Sequence, residues 1–103
     1  MHADIDNHQR ELSELCRRFG VARLEVFGSA ARGTDFDPRR SDIDFLVTFT
    51  PENRLTPLKQ FFDLAWALER LLGRPVDLIE ESAVQNPYIR AGIERSREAA
   101  YGA

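Results

Sequence analysis

The chain is poor in the residues that would tie it to an oxidising compartment, a membrane or a nucleic acid. Cys16 is its only cysteine, so no intrachain disulfide can form, which fits a reducing, cytoplasmic setting. No stretch approaches the ~20 consecutive apolar residues of a membrane span. The opening MHADIDNHQRELSEL carries neither a basic leader nor an apolar h-region, so an unexported protein with no membrane partner is expected. A basic excess is also missing: 14 Lys and Arg stand against 17 Asp and Glu, for a formal charge of −3 and a pI near 5.4. That balance leaves no broad footprint for nucleic acid, and direct nucleic-acid binding is not expected, although Arg32, Arg39 and Arg40 make a local positive cluster. The two histidines, His2 and His8, have no companion ligands near them in sequence and read as surface residues.

Repeats, low-complexity tracts and linkers are absent too, and 103 residues suit one domain spanning 1–103 that buries ~60–70% of its unfolded surface. What is present reads as alternating helices and strands. Asp6 followed by Gln9 resembles a capping box, Leu12, Leu15, Cys16 and Phe19 recur at helical spacing, and Gly20 fits a C-terminal cap, which predicts a first helix over 6–19. ARLEVF, ending at Gly28, reads as a first strand, followed by a short helix within GSAARG and a polar loop over 34–40. DIDFLVTF, residues 42–49, is a second strand. Leu58, Phe61, Phe62, Ala65, Leu68 and Leu72 mark a long amphipathic helix closed by Gly73 and Pro75. Trp66 falls beside that stripe and reads first as core packing, second as an anchor for a partner. PVDLIE, residues 75–80, is a third strand, and IRAGIERSREAAY a closing helix that packs Tyr88 and Tyr101. The order αβαβαβα predicts an α/β (α+β) fold with a small mixed sheet, its second and third strands parallel.

The chemistry lies in GSAARGTDFDPRRSDIDFLV, residues 28–47. Asp42 and Asp44 are two apart on a strand and so share one face. At ~4 Å and an effective dielectric near 20, two such charges repel by about 4 kcal/mol, so either one carboxyl stays protonated or a cation neutralises the pair. An oxygen-only donor set with no His or Cys in the stretch favours Mg²⁺ over zinc. With strands two and three parallel, Asp77 meets Asp44 across the sheet. For Gly28 to reach the same rim, strand one must run antiparallel to strand two. Gly28 admits close backbone approach and Ser29 can cap a following helix that attracts phosphate. Two strand acids, a third downstream and a Gly-Ser turn together describe metal-assisted phosphoryl or nucleotidyl transfer.

These residues resemble the DNA polymerase β-type nucleotidyltransferase superfamily: a hydrophobic residue and Gly-Ser (Phe27, Gly28, Ser29), a spacer, then alternating Asp and hydrophobic residues (Asp42, Ile43, Asp44, Phe45). The spacer is slightly longer than in the commonest GS-x-ARG-x-SD-x-D form of the small bacterial members. GSAARG, SDIDFLV, VDLIE and the tail NPYIRAGIERSREAAYG resemble the minimal nucleotidyltransferase (MNT) family, whose members act as antitoxins of HEPN-domain RNase toxins. The resemblance implies Asp42 and Asp44 as ligands of Mg²⁺, usually two ions, and Asp77 as general base or third metal ligand. It implies Gly28 and Ser29 as holders of the ATP triphosphate, with Arg32 and Ser41 beside them. The implied reaction is attack of a toxin tyrosine on the α-phosphate of ATP. Two alternatives stand: an antitoxin that neutralises by binding without catalysis, and a nucleotidyltransferase acting on small molecules such as aminoglycosides. A template-directed polymerase would need domains for which this chain has no room.

Overall fold

A computed structural model describes residues 3–28, 42–51 and 57–102. Helices α1 (Ala3–Asp6) and α2 (Gln9–Arg18) lead into strand β1 (Val21–Phe27), and strand β2 (Ile43–Phe49) is followed by the long helix α3 (Pro57–Leu72). Strand β3 (Val76–Glu80), a 3-10 turn (Glu81–Ala83), helix α4 (Pro87–Glu94) and strand β4 (Glu98–Tyr101) complete the described elements. The sheet has the order β3-β2-β1-β4 and is mixed: β1 runs antiparallel to both β2 and β4, whereas β2 and β3 are parallel across the α3 crossover.

Alternation along the strands gives the sheet two different faces. Leu24, Val26, Ile43, Phe45 and Val47 are fully buried and join Leu12, Cys16, Leu64 and Leu68 in one core beneath α2 and α3. Their intervening neighbours, Arg23, Glu25, Asp44, Thr48 and Asp77, point the other way, as strand pleating requires. That second face is closed by charge pairing. Glu81, on the 3-10 turn, accepts hydrogen bonds from Arg23 and Thr48 at 3.1 and 3.0 Å, and Arg97 donates through Nε to Glu25 at 2.7 Å. Arg97 also pairs with Glu81 and Glu94, so one guanidinium ties the end of α4 to β1 and to the turn after β3.

Three sequence expectations are corrected. The first helix is broken at residues 7 and 8: Asp6 ends α1, and His8, without a side-chain cap, precedes α2. His8 instead donates through Nδ1 to the Asp4 carbonyl at 2.6 Å, so the Asp6–Gln9 capping box does not form. Gly20 does take the left-handed conformation, φ +67°, that ends the helix. On α3 the buried face is Gln60, Leu64, Leu68 and Leu72, while Leu58 and Phe62 are largely exposed. Finally, the closing helix stops at Glu94 and the chain returns as β4, which leaves Tyr88 87% exposed rather than packed.

Candidate functional site

Strand register assembles the site. Asp44 is paired with Phe27 on β1 and with Asp77 on β3, so two carboxylates come to neighbouring positions on the face turned away from the helical core. Asp42 sits immediately before β2, and the Ile43 amide donates to the Pro75 carbonyl at 3.1 Å, which locks the starts of β2 and β3 together. Asp42 and Asp77 are exposed, while Asp44 is half-buried. Partial burial raises the Asp44 carboxyl above its ordinary value, and the charges of Asp77 and then Asp42 raise it further. Asp44 therefore lies in the field of both other acids.

Gly28 closes the rim from the side of β1. Its φ of +72° lies in the left-handed region, and a Cβ placed there would meet Asp44 Oδ2 at 2.8 Å. The left-handed backbone favours glycine here, and any side chain would have to displace the Asp44 carboxylate beneath it. The Gly28 N–H donates to Ser96 Oγ at 2.9 Å. Ser29, Arg32 and Ser41, the remaining predicted contacts, lie outside the described residues, as do the GSAARG helix, Arg39, Arg40 and the loop over 34–40.

The donor set suits a hard divalent cation. It is carboxylate oxygen among the described residues, with no thiolate or imidazole beside it, and Gly28 leaves open the space above Asp44 that a Cβ would fill. Among the described residues, no group of three or more His, Cys, Asp or Glu forms a cage able to hold a metal by itself.

A nucleotidyltransferase domain model matches residues 9–100. The chain belongs to the nucleotidyltransferase domain family. The protein adenylyltransferase MntA of Thermococcus cleftensis is 38% identical over 96 residues, covering 91% of this chain and 84% of that one. A solved minimal nucleotidyltransferase superposes with a TM-score of 0.71 at 34% identity, over 95% of this chain and 97% of its own. The fold recurs, with a TM-score of 0.64 at 18% identity over 96% of this chain and 73% of the other, in a complex of the tri-AMPylated Shewanella oneidensis HEPN toxin with its MNT antitoxin.

Two features of the nucleotidyltransferase domain depart from the first expectation drawn from sequence. Ser96 was absorbed into an imagined continuous helix, and no local pattern links it to Gly28, 68 residues away. Trp66 is 62% exposed, not core, with the Arg70 guanidinium 4.7 Å above its ring. With Leu58 and Phe62, each four residues apart, it forms an outward apolar stripe on α3.

Proposed function

We propose that this domain is an antitoxin that transfers AMP from ATP to a tyrosine of a HEPN-type RNase toxin, using Mg²⁺ held by Asp42 and Asp44. The observation that carries the reading is the pairing of Asp44 with Asp77 beneath the Gly28 turn. Bound there, the ion would offset phosphate charge and make the α-phosphorus more electrophilic. The chain's own residues do the rest. Asp44, half-buried, fixes one edge of the site, and the Gly28 turn leaves room for the triphosphate. Asp77, exposed on the edge strand, is open to an incoming protein side chain and takes the tyrosyl proton. The tyrosyl oxygen bonds to the α-phosphorus as the bond to the β-phosphate oxygen breaks, and pyrophosphate leaves. Ser29, Arg32 and Ser41 are assigned to the nucleotide by their motif positions. The single-domain organisation and a cytoplasmic location belong to the same reading.

The test is label transfer from α-labelled ATP in the presence of Mg²⁺ to the purified HEPN-type partner. Label on a partner tyrosine, lost with Asp44→Asn, is expected; an unlabelled partner with both proteins refutes it. The exposed Leu58, Phe62 and Trp66 stripe favours a second reading, neutralisation by binding alone. If Asp44→Asn abolishes labelling yet still protects cells from the toxin, that second reading prevails.

A further inference from the structure

We infer that Ser96 is a positioning residue for the nucleotide site: its hydroxyl sets the place of the Gly28 turn above Asp44. The inference rests on the nucleotide-binding reading given above. The Gly28 N–H is already engaged with Ser96 Oγ at 2.9 Å, so the turn serves a ligand through its shape and not through that donor. Its shape is tightly limited. A φ of +72° and a clearance that excludes even a Cβ, 2.8 Å from Asp44 Oδ2, mean that any shift of Gly28 changes the space over the carboxylate.

Ser96 is itself firmly held. Its N–H donates to the Ile93 carbonyl at 3.0 Å, and the next amide, of Arg97, donates to the same oxygen at 2.9 Å. The Arg97 side chain then grips Glu25 on β1 and Glu81 after β3. Ile93 is buried. The turn after α4 is thus fastened to β1 at Glu25 and, three residues on, to Gly28 just past the end of that strand. Gly28 leaves β1 from a fixed height because Ser96 is fixed.

Calorimetric titration of the full chain with AMP-PNP and Mg²⁺, alongside amide hydrogen exchange at Gly28 and thermal melting, tests this in wild type, Ser96→Ala and Ser96→Thr. Alanine leaves the Gly28 N–H without its acceptor. It is expected to weaken nucleotide binding about ten-fold, to speed exchange at Gly28, and to lower the melting temperature by about 4–8 °C, the cost of one lost hydrogen bond. Threonine keeps the hydroxyl and should restore both nucleotide affinity and protection. Alanine binding within about two-fold of a wild type that does bind overturns the inference and leaves the family reading intact. So does a Gly28 amide that stays protected in Ser96→Ala, or a threonine variant as impaired as alanine. A wild type that takes up no nucleotide overturns the nucleotidyltransferase reading, and this inference with it.

Discussion

Replacing Asp44 with Asn should make the ligand-free protein more stable while destroying its chemistry. Asp44 lies half-buried, faces Asp77 across a parallel register pair and feels the charge of Asp42, just before the strand. At the ~4.8 Å strand spacing and an effective dielectric near 20, one full repulsion is about 3.5 kcal/mol. Asp77 and Asp42 are exposed, and water and salt reduce that to about 1 kcal/mol in total. The sign follows from proton linkage. Burial, Asp77 and Asp42 hold the folded-state carboxyl above its ordinary 3.8, so between those two values the folded protein binds more protons than the unfolded one. Stability therefore falls as pH rises from 3.8 through the raised value, and the full penalty is present at pH 7.

Asparagine removes the charge at nearly constant volume. At pH 7 without divalent ions, Asp44→Asn should melt about 4–8 °C above wild type, the shift that about 1 kcal/mol produces in a small domain. At pH 3 the carboxyl is protonated in both states and the two melting curves should converge. Added Mg²⁺ should raise the wild-type midpoint and leave the variant unchanged. AMP transfer should drop at least about a hundred-fold. A variant that melts at or below wild type at pH 7, or a gap that persists at pH 3, would refute the charge-repulsion account of this site.

Other outcomes follow from the same geometry. Gly28→Ala places a methyl against Asp44 Oδ2 in a left-handed backbone conformation, so stability should fall by about 1–2 kcal/mol and nucleotide binding should be lost; retained binding in calorimetry contradicts the close approach. Cys16 is fully buried and its thiol is pushed up to about 12, so a disulfide-exchange reagent should modify it only at the rate of unfolding; fast native labelling would show an open core. Partial burial raises the Glu81 carboxyl, but hydrogen bonds from Arg97, Thr48 and Arg23 outweigh it and bring it to about 2. Its contribution is present above 4.5 and lost as pH falls through about 2, so Glu81→Gln should cost about 1–2 kcal/mol at pH 7 and well under about 1 kcal/mol at pH 2, read by denaturant titration. Leu68→Ala should cost about 2–5 kcal/mol and Trp66→Ala under about 1; similar losses would contradict the observed facing of α3.

The strands that carry the acids were legible because each is fixed by strong local pattern. Branched and aromatic residues alternate through β1 and β2, and one βαβ unit then dictates that Asp77 meets Asp44. The facing of α3 was not legible, since its buried stripe begins at Gln60. That polar residue is 5% exposed because its side-chain amide donates to the Phe19 carbonyl at the end of α2, 2.7 Å away. Hydrophobic periodicity cannot count a glutamine that is inside for the sake of one hydrogen bond. β4 was missed for a related reason. REAAY has helix-forming composition, and its extended state is decided by pairing with β1 and by Arg97, whose partners Glu25 and Glu81 are 72 and 16 residues away.

The two faces of the sheet divide stability from chemistry. The main apolar core fills one face beneath α2 and α3, and no site acid lies there, while the other face buries Leu46. The other face carries every described acid of the site, and its closure depends on Arg97, whose three carboxylate partners raise its already high pKa. A fold of this size can accommodate Asp42, Asp44 and Asp77 near one another because their repulsion is exerted at a solvent-facing rim. It does not act within the packed core. The same Arg97 cluster holds the Ser96 turn that meets Gly28. Loss of the ion network should therefore displace Gly28 before it loosens the helical core.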